Sequence, residues 1–177
     1  GGDDGQMFLL AGALALQAGD FARARELFAA DPADDASRAS FASGLAQVHW
    51  RRLASMRAGV YADADSSMLA LDPAAELVAG KLSPDAFVSV KVEEARRVAD
   101  ATILSVQQST GRDAMLDHRA REDEPLYRCT GNFVAAERCL SSGDSVSARR
   151  FLTAALEPKA ENLLEFHVAK AELARLS

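Results

Sequence analysis

Acids and bases gathered within a turn or two of helix are the raw material of general acid–base catalysis, and the run Asp117-His118-Arg119-Ala120-Arg121-Glu122-Asp123-Glu124 supplies them. Such groups work when they are desolvated and held against a substrate. This run has few apolar neighbours and ends at Pro125, so it reads as a solvated connection between helices. The histidines are His49, His118 and His167, and none has a second histidine or cysteine three or four residues away to share a metal. His49, next to Trp50, reads as a half-buried, hydrogen-bonded side chain. Two aspartate groups, Asp63, Asp65 and Asp72, and Asp31, Asp34 and Asp35, invite comparison with calcium ligands. Neither has the alternating acids, central glycine and closing glutamate of an EF-hand loop, and helix capping accounts for them. Cys129 and Cys139 fall on one expected helix, about 15 Å apart along its axis, too far for a disulfide. No glycine-rich phosphate loop, nucleophile elbow or paired-cysteine zinc pattern occurs. The expectation is a chain with no catalytic residues, no metal and no cofactor.

The elements that would position these residues are helices. Apolar residues make up 49% of the 177 positions but aromatic ones only 6%, so alanine and leucine supply the core, which suits closely packed helices better than a sheet. A net charge of -6 argues against nucleic acid, since the basic pairs Arg51-Arg52, Arg96-Arg97 and Arg149-Arg150 are short and read as solvated helix faces. Met7–Leu16 is too short and alanine-rich for a membrane span. The chain reads as soluble, of cytoplasm or periplasm. Its start, Gly1-Gly2-Asp3-Asp4, suggests a tag remnant or removal of an upstream signal or anchor and leaves the compartment open. Arginine and alanine usage points to a bacterial genome.

Two stretches carry a common pattern. In the first, Phe8, Leu9, Gly12, Leu14 and Leu16 form a helix, Gly19-Asp20 breaks it, and Phe21, Ala24, Leu27 and Phe28 recur at helical spacing before Asp31-Pro32. In the second, a helix from Leu126 to Leu140 with Ala136 leads to Gly143, and Ala148, Leu152, Ala155 and Leu156 follow. Small residue, turn glycine, aromatic, small residue and bulky residue at these offsets resemble a divergent tetratricopeptide repeat, over about half the chain. Asn132 and Ser145 depart from that pattern in the second copy. A degenerate copy is read around Gly59-Val60-Tyr61, closed by Leu71-Asp72-Pro73, and a further hairpin joins 84–109, whose apolar stripe includes Phe87, Val88, Val90, Val98 and Ala99, to 112–121 through Gly111. The turn glycines stand 40, 52 and 32 positions apart, against about 34 for the repeat.

This resemblance implies an all-α domain over 1–177, a right-handed stack of about eight or nine helices. The hairpins are expected near 5–32, 36–73, 84–122 and 126–158, with a capping helix at 160–176 whose Leu164, Phe166 and Val168 offer self-association. It further implies a scaffold or adaptor that binds a peptide or partner helix in a concave groove. The first helices of the two best copies would line that groove with Gln6, Leu9, Ala13 and Gln17, and with Thr130, Phe133, Glu137 and Ser141. The basic clamp by which some members of that family grip a C-terminal carboxylate is missing at these positions. A different class of function, small-ligand binding, would use a pocket between widened middle hairpins lined by Trp50, Met56, Tyr61, Met68 and Phe87.

Overall fold

The computed structural model describes residues 3–30, 45, 47–60, 72–103, 118 and 121–177. Among them run eight helices and no strand: α1 Asp3–Gln17, α2 Phe21–Ala29, α3 Gln47–Arg57, α4 Pro73–Val78, α5 Pro84–Ile103, α6 Glu124–Ser141, α7 Ser145–Leu156 and α8 Leu164–Arg175. The chain is all-helical, as its composition and periodicity imply.

Hairpins α1–α2 and α6–α7 turn by the same device. Gly19 and Gly143 take positive φ (79° and 81°) just past the preceding helix, where an L side chain would be strained. The next residue returns a hydrogen bond to that helix, Asp20 N–H to the Ala15 carbonyl at 2.9 Å and Asp144 N–H to the Cys139 carbonyl at 2.8 Å. The same aspartate then opens the following helix, its carboxylate accepting from Arg23 N–H in one and Ser147 N–H in the other, both at 3.0 Å. Gly12 explains how closely α1 and α2 approach: a methyl group there would overlap the Phe28 ring.

One apolar core takes side chains from Leu9 in α1 to Ala169 in α8, and Trp50 of α3 lies at its centre. The indole is tilted against Phe28 of α2 at 5.9 Å and Phe133 of α6 at 5.3 Å. Helix α6 is the hub, with α3, α4, α5, α7 and α8 all packed on it. In an open stack the first and last helices stand at opposite ends. Here α8 packs on α1 as well as on α6 and α7, so the terminal helix closes the bundle where a cap on a free end was expected.

Two further expectations need correction. Asp72-Pro73, read as the close of a unit, instead opens α4: the Asp72 carboxylate accepts from Ala74 N–H at 3.0 Å, and Pro73 takes the first turn, where no N–H is needed. The apolar stripe of α5 is only partly used, since Phe87, Val88 and Ala99 are buried while Val90 and Val98 are exposed. The copy around Gly59 continues into 61–71, and the turn through Gly111 falls within 104–120; of these two stretches only His118 is described.

Candidate functional site

Five of the eight expected groove residues face the interior. Leu9, Ala13, Thr130, Phe133 and Glu137 are buried, because α3 inserts Trp50 between the two hairpins and α8 closes over α1 and α6. Gln17 is half-buried and Ser141 is exposed, its hydroxyl returning to the Arg138 carbonyl at 2.8 Å. The side chain of Gln6 lies outside the described part. A partner meeting this surface would touch little of the expected lining.

The expected pocket fares similarly. Trp50 and Phe87 are buried and Met56 packs half-buried against the same core, while Tyr61 and Met68 lie outside the described residues. Two open depressions among the described residues lie elsewhere, along α5 and the start of α6. One, of about 460 Å³, is walled by Asp85, Val88, Val92 and Arg128, and the other, of about 480 Å³, by Lys91, Val98, Asp123 and Tyr127.

Among the chemistry-bearing residues, His49 is more buried than expected. Its Nε2 lies 2.7 Å from Asp72 Oδ2, and its Nδ1 is buried without a hydrogen-bond partner. That hydrogen bond to His49 holds the Asp72 carboxyl below its ordinary range, against the opposing effect of burial. Asp72 is thus both helix cap and anchor for α3. Cys129 and Cys139 are free thiols on α6, and burial, then the nearby Glu165 carboxylate, pushes Cys129 up to about 12, which leaves it unreactive at neutral pH. His118, Arg121, Glu122 and Asp123 are exposed, and Asp117, Arg119 and Ala120 lie outside the described residues. His167 is exposed, with its ring nitrogen 2.8 Å from the Glu161 carbonyl.

The sequence reading missed a buried charge cluster where α3, α6 and α8 meet. Glu137 and Glu172 have side chains only 1% and 2% exposed, and Arg57 lies between them. Its terminal nitrogen donates to both Glu172 oxygens, at 3.2 and 3.3 Å. Its Nε comes within 3.2 Å of Glu137 Oε2 without pointing at it, so both Glu137 oxygens remain buried with no hydrogen-bond partner. Arg175 approaches Glu172 at 2.5 Å and donates to the carbonyls of Leu16, at 3.1 Å, and Gln17, at the end of α1. The Leu16 carbonyl also accepts from Gly19 N–H at 2.9 Å, and a cation suits that end of the macrodipole. The Phe21 ring faces both guanidiniums, at 4.3 and 5.9 Å. A signal was present. Arg57, Glu137 and Glu172 each stand four and three residues after a buried pair, Leu53/Ala54, Phe133/Val134 and Val168/Ala169. Each charge therefore falls on the inward face of its helix.

On α1 an apolar stripe faces outward. Met7, Leu10 and Leu14 of α1 are 66%, 47% and 63% exposed, three and four residues apart. The self-association residues of the last helix offer less: Val168 is buried, and Leu164 and Phe166 pack half-buried against the core. Among the described residues, no helix is long and apolar enough to cross a membrane. Comparison of the chain with protein-family models, curated proteins and solved structures finds no match.

Proposed function

We propose that this chain is a non-enzymatic scaffold or adaptor whose partner docks as an amphipathic helix on the outer stripe of α1. The observation that carries the reading is the stripe itself: three large apolar side chains at i, i+3 and i+7, along about 10 Å of helix. That spacing is the seam of a helix pair. An extended peptide would reach a convex helix with its own backbone unpaired, whereas a helix arrives with its backbone hydrogen bonds made. The chain's net charge of -6 favours basic residues flanking the partner's apolar seam. The hairpins' resemblance to tetratricopeptide repeats supports the same class, since members of that family bind peptides and partner helices. Against an enzyme stands the burial of Glu137, Glu172 and Arg57, which keeps substrate from this charge cluster.

A photo-crosslinking residue at Leu14, introduced in the native host, tests this. The expected outcome is one discrete adduct whose partner, made recombinantly, binds the purified chain. That binding should fall about ten-fold or more in Leu10→Glu, with the helical circular dichroism unchanged. Adducts to a second copy of the chain, or none above those formed at the exposed Val146, would overturn it.

A further inference from the structure

We propose that Glu137 is held as the neutral acid in the packed bundle, and that losing its proton loosens the seam where α3, α6 and α8 meet, making the closure of the bundle responsive to pH. The argument begins with the allotment of hydrogen bonds. Two carboxylates share this dry site, and Arg57 spends its well-aimed donors on Glu172. Arg175, the second cation, is committed to Glu172 and to the carbonyls that end α1. Glu137 receives no hydrogen bond, so it is the carboxylate worst placed to hold a charge.

Among the described residues, the groups around it supply no other counter-charge. From α3 comes Arg57 alone, since His49, two turns earlier, is engaged with Asp72. From α8 come Glu172, which repels, and Arg175. Helix α7 sends Ala148, Leu152 and Ala155 inward, and α4 and α5 bury Leu77, Val78 and Phe87. At the α1–α2 turn, Phe21 stacks on the guanidiniums. Burial first, and Glu172 second, push the Glu137 carboxyl up to about 8, against the smaller pull of Arg57 and Arg175.

The linkage has a definite sign. A carboxyl whose folded value is raised binds its proton more tightly folded than unfolded, so its contribution to stability is complete below the ordinary carboxylate range. It is lost as pH rises from about 4.5 to about 8. Loss of the proton places a second, unbonded negative charge beside Glu172, and separating α8 from α3 and α6 lets water reach it. This inference stands independently of the proposed docking face.

The test compares the full chain with Glu137→Gln, which keeps the size and neutrality of the acid. Urea midpoints of the wild type should fall between pH 5.5 and 9 while those of the variant stay level, the two meeting at the acid end. Amide exchange in α8, corrected for its intrinsic pH dependence, should rise about ten-fold or more in the wild type and less than about two-fold in the variant, ten-fold being the change expected for one unit of differential proton affinity. Parallel pH profiles would overturn the proposal. Should the variant fail to fold, the Cδ resonance of Glu137 in labelled wild-type chain decides. Titration near 8 supports the proposal, and titration in the ordinary carboxylate range sinks it.

Discussion

Helices α1 and α6 open two hairpins with the same turn, yet they meet different fates. Set on a common register by Gly19 and Gly143, Leu9 answers to Phe133, Ala13 to Glu137, and Leu10 to Val134. Among the described residues α1 packs chiefly on α2 and α8, buries Leu9, Ala13 and Leu16 and leaves Met7, Leu10 and Leu14 outside. Five helices surround α6, so Val134 is buried where Leu10 is half exposed, and a carboxylate is buried where α1 has a methyl group. The turn is local chemistry and repeats faithfully. Burial depends on how many neighbours arrive from elsewhere in the chain, and it does not repeat.

The largest effect expected from this contrast lies at the aromatic centre. Phe133→Ala removes a ring stacked on Trp50 and leaves a cavity that five packed helices cannot collapse into, and should cost about 3–5 kcal/mol in urea denaturation. Leu14→Ala, on the open side of α1, should stay within about 0.5 kcal/mol. Comparable losses at the two positions would mean that the outer face of α1 is covered in the native state. The comparison would then break.

A smaller effect separates the two close-approach positions, Gly12 and Ala136, each seven residues before its turn glycine. Gly12→Ala gains helix propensity of about 1 kcal/mol but drives a methyl into the Phe28 ring, itself backed by Trp50, at about 1–3 kcal/mol. The net change should be a loss of about 1 kcal/mol. Ala136→Gly loses the propensity and leaves a small void, about 1–2 kcal/mol in all. Thermal melts of both variants check the pair, and a stabilised Gly12→Ala would show that the Phe28 ring can move aside.

These residues also mark how far the sequence is legible. Gly12, Gly19 and Asp20 announce a close approach, a left-handed turn and a cap, because each acts within a few residues of itself. The helix class and the extents of α6, α7 and α8 follow from the same local rules. Asp72-Pro73 was misread because an Asp-Pro pair punctuates the chain in either direction, and only the helix after it tells stop from start. The site was less legible. The spacing of Glu137 after Phe133 and Val134 places it on an inward face, but its meeting with Arg57, eighty residues earlier, and Glu172 depends on α8 returning to α1. No local pattern encodes that closure, so residues assigned to an open groove became core.

The smallest effect tests the shared feature. Asp20→Ala and Asp144→Ala each remove the side-chain acceptor of an exposed backbone N–H at 3.0 Å, and the two melting temperatures should fall by similar, modest amounts. Hydrogen bonds from Ser147, from its side chain first, hold the Asp144 carboxyl below its ordinary value of 3.8. A lowered folded value means that the cap contributes above the ordinary carboxylate range and is lost as pH falls through it. The deficit of Asp144→Ala relative to wild type should therefore persist at pH 6 and shrink below about pH 3.8. Unequal losses at neutral pH would show that the two turns, alike in geometry, carry different loads, and that the greater packing around α6 reaches its turn as well as its core.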